Sequence, residues 1–239
     1  MTPERIARLR EVLNQRQPDL TVVTDFVHKQ RNLSAIVRNC DAAGIMAMHA
    51  VLGDEDYRSF RGTAMGSQLW VRVQRHRSLE GALRPLQTQG YQILAAHLSE
   101  GTVDYRDVDY TQPTAILLGA ERRGVSEQGL SRAQCNITVP MVGMVRSYNV
   151  SVAAGIILSE AQRQRREAGL YDSVRIDEVT YQRLFFEWGH PVVRDYCRER
   201  GLAYPPLDAE GEIHNPAAWY ASVREGRAAK VAPGAYDDD

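Results

Sequence analysis

Three stretches of this chain hold side chains whose types and spacing could do chemistry. Asn32-Leu33-Ser34-Ala35-Ile36-Val37-Arg38 puts a carboxamide and a guanidinium on one short segment. Gly119-Ala120-Glu121-Arg122-Arg123-Gly124-Val125-Ser126 sets a carboxylate beside two cations, between two glycines. Ile137 to Ser151 begins with β-branched residues that read as a strand, which Pro140 must stop because it cannot continue a ladder. A loop rich in methionine and valine follows, with Gly143 inside it and Ser147-Tyr148-Asn149 at its end, and then a long apolar helix from about Val150 to Arg166. A greasy loop between a buried strand and a buried helix, carrying a few small polar groups, has the composition of a small-molecule pocket.

Several chemistries are excluded by the same residues. The glycine spacing of 119–126 is that of a phosphate-binding loop, but Val125 stands where a lysine must reach the phosphates, so ATP hydrolysis is not expected. No G-x-G-x-x-G follows a predicted strand. His28, His49, His76, His97, His190 and His214 show no metal-ligand spacing, so no metal is expected. Ser147 has no nucleophile-elbow context. For the remaining groups, structural readings stand beside the chemical ones: Arg38 as a helix arginine in a surface ion pair, Glu121 paired with Arg122 or Arg123, and Ser126 as the cap of the next helix.

The elements that must position these groups follow from periodicity. Thr2-Pro3-Glu4 starts a helix with Ile6, Leu9 and Leu13 at helical spacing, ending before Pro18. Strands are predicted at Thr21–Val27, Ile45–Val51, Trp70–Val73, Tyr91–Ala96, Ala115–Leu118 and Asn136–Val139. Between them, Asn32–Ala43 reads as a helix closed by Gly44, and Ser78 caps another that stops at Gly90 with Pro85 weakening its middle. Strands that alternate with helices, several apolar throughout, mean an α/β fold with a mostly parallel sheet covered on both faces. The pocket then lies at the carboxyl ends of neighbouring strands, after Ala95-Ala96, Leu118-Gly119 and Val139-Pro140, where open α/β sheets bind ligands. Beyond the long helix, Asp177 caps a helix with Tyr181, Leu184, Phe185 and Trp188, Pro191 opens another, and Asn215-Pro216 a last one bearing Trp219, Tyr220 and Val223. These aromatic stripes read as core or dimer packing, with base stacking as the functional alternative. From about Ala229 the end reads as disordered.

Together, the three ordered motifs resemble those of the SPOUT superfamily, specifically the SpoU/TrmH-type tRNA ribose 2′-O-methyltransferases that act on guanosine 18. The likeness covers nearly the whole chain. It implies a C-terminal trefoil knot in the sheet, which connection rules would not have led to, and an organisation of residues 1–18 as an N-terminal helical extension, 19–168 as the methyltransferase domain and 169–239 as a C-terminal helical extension with a disordered tail. It implies S-adenosylmethionine as cofactor, lined by Ala96, Leu98, Leu118, Gly119, Val139, Met141, Ser147 and Tyr148, largely through backbone groups. Gly119 and Gly143 suit such a site because a Cβ would obstruct close approach. Arg38 matches the family's catalytic arginine, Asn32 and Glu121 its bracing groups, and Ser147 and Asn149 the third motif. Tyr148 departs from the usual leucine, and Arg122-Arg123 from a lysine-containing form. Because a guanidinium keeps its proton, Arg38 is read as an electrostatic clamp on the phosphate and the developing alkoxide.

The resemblance also implies an obligate homodimer and a tRNA substrate. A net charge of −1 over 239 residues argues mildly against a nucleic-acid binder, yet the arginines cluster. Arg5, Arg8, Arg16, Arg58, Arg61, Arg122, Arg123 and Arg166 are the expected RNA contacts, with solvated helix faces as the alternative. Tyr57 to Ser67, bearing cations, hydroxyls and an aromatic, reads as a connection that meets the RNA backbone or as a plain surface loop. Hydrophobic content of 44% and charged content of 25% are those of an ordinary globular protein. Apolar runs too short for a bilayer and an N-terminus without a signal-type region point to the cytoplasm and no membrane. Cys40, Cys135 and Cys197 read as reduced, buried thiols. Two alternatives stay open: the same chemistry on another tRNA position or on rRNA, and a non-catalytic RNA-binding protein of the same fold.

Overall fold

The computed structural model describes residues 1–53, 69–232 and 236. Arg58, Arg61 and the rest of the Tyr57–Ser67 connection lie outside them. In chain order the elements are α1 (Pro3–Asn14), β1 (Leu20–Asp25), α2 (Gln30–Ala42), β2 (Ala47–Val51), β3 (Arg72–His76), α3 (Leu79–Thr88), β4 (Gln92–Ala96) and β5 (Val103–Asp104). They continue with β6 (Thr114–Gly119), α4 (Glu127–Arg132), β7 (Cys135–Thr138), α5 (Val150–Glu167), α6 (Glu178–Gly189), α7 (Pro191–Arg200) and α8 (Pro216–Arg224). Two compact units result: Arg16–Arg175, and a second that joins Met1–Gln15 to Ile176–Asp239.

The larger unit is an α/β layer structure. Its strands form one parallel sheet in the order β3-β2-β1-β6-β4-β7-β5. Alternate residues of the central strands feed two apolar layers, Val22, Ile116 and Leu118 with α2 and α5, and Val23, Ala115 and Leu117 with α3. That double burial is why these strands read as unbroken apolar runs. β1 stops at Asp25 rather than Val27, because Phe26 takes a left-handed φ of 52° that no ladder residue adopts. β5 was not expected. Pro85 sits inside α3 without ending it.

One polar cluster ties the layers together. Arg165, at the end of α5, is 0% exposed. Its Nε donates to Tyr110 O (2.8 Å), Nη1 to Gln17 Oε1 (3.0 Å) and Asp19 Oδ1 (2.6 Å), and Nη2 to Asp19 O (3.2 Å) and Gln112 O (3.0 Å). All five guanidinium N–H groups are thereby matched. Arg175 donates to both oxygens of Asp19 (2.6 and 2.8 Å), and Tyr171 Oη donates to Ala43 O (2.8 Å). These bonds explain why the larger unit runs on to Arg175 rather than ending at 168. At its other end Arg16 is also 0% exposed and bonded to Ile45 O and Asp41, so it is not an RNA contact; a fully buried guanidinium cannot reach a phosphate.

The smaller unit gathers both ends of the chain. Tyr181 Oη donates to Asn14 Oδ1 (3.1 Å), and Arg5 Nη2 to Trp188 O (3.0 Å). Phe185, Phe186 and Trp188 of α6 are buried, and buried Glu187 accepts from Arg198 (3.1 Å) and the Tyr204 hydroxyl (3.0 Å). The expected disorder from Ala229 does not hold for 229–232: Ala203 N donates to Ala229 O (2.9 Å), Val231 N to Gly201 O (3.0 Å), and Tyr236 Oη to Leu202 O. Among the described residues no helix is long and apolar enough to cross a membrane. Cys40 and Cys197 are buried free thiols, whereas Cys135 is half-buried.

Removing one partner of the buried cluster strands the others. Arg165→Met is expected to lower the urea-measured unfolding free energy by roughly 3–5 kcal/mol; a loss under about 1 kcal/mol would mean that the cluster does not hold α5 to the sheet. The paired arginines outweigh burial and hold the Asp19 carboxyl below its usual range. Its contribution is therefore complete above the unfolded pKa and lost as pH falls through the lower folded one, a loss that Asp19→Asn should remove from the acid-unfolding curve.

Candidate active site

The register of the sheet brings four strand ends to one edge. Asp25 lies opposite Gly119, Ala96 opposite Leu118, and Ala96 opposite Ile137. The loops leaving β6 and β7, and the first turns of α2 and α5, rise from this edge.

Asn32, in the first turn of α2, is only 5% exposed. A buried carboxamide needs partners on both its atoms. Its Nδ2 donates to Glu121 Oε1 (2.5 Å), and its Oδ1 accepts from Asn149 Nδ2 (3.3 Å). Three residues from three motifs, far apart in the chain, thus form one bonded chain. Asn149 is at the same time the N-cap of α5, its Oδ1 accepting from Ser151 N (3.0 Å) and Ser151 Oγ (2.6 Å). Asn39, about two turns beyond Asn32 on the same face of α2, donates to Ser151 O (2.7 Å). The start of α5 is held at two points, one of which is Asn32.

The loop that delivers Glu121 folds back on its own strand. Gly124 N donates to Ala120 O (2.8 Å), and Gly124 takes a φ of 69°. A Cβ on Gly119 would stand 2.0 Å from the Gly124 carbonyl carbon and 2.1 Å from Val125 N, so Gly119 is required by the loop's return. At Gly143, by contrast, a Cβ would meet nothing within 4 Å in this chain, and no close approach requires that glycine. The loop's far end is pinned by a residue the motifs did not single out. Asp25, 2% exposed at the end of β1, accepts from Ser126 N (2.7 Å), while its other oxygen is buried without a protein partner. An acid closing a fully buried β-branched strand was the available signal. Ser126 also caps α4, accepting from Gly129 N (3.2 Å).

Not every predicted group joins this cluster. Arg38 is exposed and six residues beyond Asn32, hence about 240° around the helix on a different face. Ser147 is exposed, and Tyr148 is 42% exposed. Of the expected cofactor contacts, Leu118 is 1% exposed with its side chain in the core, Gly119 is buried, Ala96, Val139 and Met141 are half-buried, and Leu98 is 62% exposed. A groove of about 720 Å³ runs along α2 and α5, lined by Ala35, Asn39, Val152, Gly155, Ile156 and their neighbours. Of the expected RNA contacts, Arg122 and Arg123 are exposed beside Glu121. Arg8 pairs with Glu11 (2.8 Å), and Arg166 lies 5.1 Å from the Tyr171 ring centroid. Among the described residues no group of three or more His, Cys, Asp or Glu could hold a metal ion.

Residues 19–159 match the SpoU rRNA Methylase family, and 163–216 match the SpoU rRNA methylase C-terminal family. The tRNA (guanosine(18)-2'-O)-methyltransferase of Escherichia coli (strain K12) is 46% identical over 226 residues, covering 94% of this chain and 99% of that one. The crystal structure of the A. aeolicus TrmH/SpoU tRNA modifying enzyme superposes with a TM-score of 0.73 at 40% identity, over 80% of this chain and 97% of that one. The SpoU methyltransferase AviRb from Streptomyces viridochromogenes, solved in complex with AdoMet, superposes with a TM-score of 0.55 at 25% identity, over 64% and 62% of the two chains.

The Asn32–Glu121 bond is separable from the rest. Glu121→Ala leaves a buried amide donor unmatched and is expected to cost about 1–3 kcal/mol in thermal or urea unfolding, whereas Glu121→Gln keeps an acceptor and should cost less than half as much. Equal losses in both variants would show that charge, not the bond to Asn32, is what Glu121 contributes.

Proposed function

The chain belongs to the SpoU methylase family, and on that premise we propose that it methylates the ribose 2′-oxygen of the guanosine at position 18 in the D-loop of tRNA, using S-adenosylmethionine, as a cytoplasmic enzyme. The observation that carries this reading is the bonded chain Glu121–Asn32–Asn149, which joins the three motifs at the ligand-binding edge of a parallel sheet.

When bound, the cofactor supplies an electrophilic methyl group on a sulfonium. The edge has the chemistry to take it. Residues 142–149 are all exposed, and Val142, Met144 and Val145 in the loop leaving β7 carry apolar side chains open to a ligand. We assign the backbone of Ala96, Leu98, Leu118, Gly119, Val139 and Met141, with Ser147 and Tyr148, to that site, in a sheet end knotted by the passage of the 139–149 loop.

An in-line methyl transfer depends on positioning, and the 2′-hydroxyl must also lose a proton. Asn32, held at both atoms, braces the floor of the site. Asn149 fixes the start of α5 there. Arg38 on its exposed face is the group left to meet the RNA: it clamps the adjacent phosphate and the developing alkoxide while the proton passes to a phosphate oxygen or water. Since Arg38 and Asn32 point from different faces of α2, one molecule does not bring them together. A homodimer does so if the groove along α2 and α5, with Val152 47% exposed beside it, receives a second copy. Arg38 of one subunit then serves the Asn32 site of the other. Arg122 and Arg123, exposed beside Glu121, and the terminal unit supply further tRNA contacts.

Labelled methyl transfer to unmodified tRNA transcripts, with the product mapped as a nuclease-resistant dinucleotide, tests the reaction; no incorporation into any tRNA would sink it. Arg38→Ala is expected to lower kcat by about 10²–10³-fold with cofactor affinity unchanged. Mixed dimers of Arg38→Ala and Asn32→Ala subunits should recover activity that neither homodimer has. Failure to recover it would put both residues in one subunit's site. Val152→Glu should yield monomers by sedimentation and abolish transfer together with them.

A further inference from the structure

The last helix, α8, begins where the matched family ends, at residue 216, and none of its residues is buried. It nevertheless carries Trp219 and Tyr220. Their rings meet each other and Tyr196 of α7 edge to face: Trp219–Tyr220 centroids are 4.8 Å apart at 66°, Tyr196–Trp219 6.2 Å at 68°, and Tyr196–Tyr220 6.4 Å at 71°. Tyr220 is 40% exposed and Trp219 half-buried. Such a cluster holds α8 in place while keeping ring surface open to a planar guest.

Cations accompany the rings at one-turn spacing. Arg200 follows Tyr196 by four residues, and its guanidinium lies 3.9 Å from the Tyr196 ring centroid, paired at its edge with Glu199 (3.1 Å). Arg224 follows Tyr220 by four residues and is exposed in the last turn of α8. Residues four apart share a helix face. Tyr196 thus has the Arg200 guanidinium stacked on its ring, and Tyr220 presents exposed ring surface with Arg224 one turn further along the same helix face, a pairing that suits a base and its phosphate from a single-stranded segment. Exposed ring surface flanked by two arginines suits an RNA with unpaired loops, which is the proposed substrate.

We propose that Tyr196, Trp219 and Tyr220, with Arg200 and Arg224, form a second tRNA contact on which unpaired nucleotides away from the methylated guanosine stack. The proposal rests on the tRNA-methyltransferase reading, and binding measurements separate the two. Filter binding of unmodified tRNA, methyl-transfer kinetics and the salt dependence of Kd are measured for the wild type and for Trp219→Ala, Trp219→Phe and Arg224→Ala. Trp219→Ala is expected to raise both Kd and KM for tRNA roughly tenfold with kcat at saturating tRNA unchanged, while Trp219→Phe, which keeps a stacking ring, restores wild-type affinity. Arg224→Ala should reduce the slope of log Kd against log salt by about one. Because no residue of α8 is fully buried, the thermal midpoint should change little. Wild-type tRNA affinity in a folded Trp219→Ala overturns the proposal, as does a smaller sedimenting species, which would make the cluster a contact between copies of this chain. Trp219-dependent tRNA binding without methyl transfer by the wild type would overturn the methyltransferase reading and leave the stacking contact established.

Discussion

The buried guanidinium of Arg165 is the constraint on which the larger unit depends. It stands at the carboxyl end of α5, and its five donors are shared among the chain before β1, Tyr110 and Gln112 before β6. A buried ion pair contributes little net stability relative to apolar packing, but its geometry is exacting, because every unmatched donor costs. The long helix therefore has one permitted height and rotation on the sheet. Its other end carries Asn149, and the site inherits its precision from an anchor about 24 Å away, at 1.5 Å of rise per residue from Asn149 to Arg165.

From that anchored helix the site is assembled by amides rather than charges. Asn149 caps α5 and donates to Asn32, and Asn32 donates to Glu121. Each carboxamide uses donor and acceptor at once, so none can turn without breaking a second bond. Asp25 and the missing Cβ of Gly119 hold the Glu121 loop from beneath. Nothing in this cluster is a free nucleophile or base. That suits a reaction in which placing two reactants in line and steadying a developing alkoxide are the main contributions of the protein.

Arginine is used here in two opposite ways. Arg16 and Arg165 are sealed in the interior as structural bolts, whereas Arg122 and Arg123 beside Glu121, and Arg38 on another face of α2, face solvent. Arg16 sits in the same run as Arg5, Arg8 and Arg10, and composition treats all four alike. Only the end of α2 and the turn that follows it, which bring Asp41 and the Ile45 carbonyl to Arg16, separate it from the others. The bridge of Gln17 with Ile45 carries Arg16 inside, and no local pattern in residues 1–18 reports it.

The alternation of apolar runs with capped helices determined the α/β class, the parallel sheet and nearly every helix start, since Thr2, Ser78, Asp177 and Asn215 cap as their side chains require. These are short-range effects, decided within a few residues of the chain. The three motifs, likewise, were legible as residue types at characteristic spacings. What only the tertiary structure decided was long-range: that Asn32 bonds both Glu121 and Asn149, that Asp25 pins Ser126 at the far end of the Glu121 loop, and that the two ends of the chain make one compact unit. The short strand β5 and the pairing of 229–232 with Leu202 and its neighbours belong to the same class, for they are written in partners rather than in their own residues. Hydrogen bonds between groups a hundred residues apart depend on sheet order and helix rotation, and these are settled only when the whole core packs.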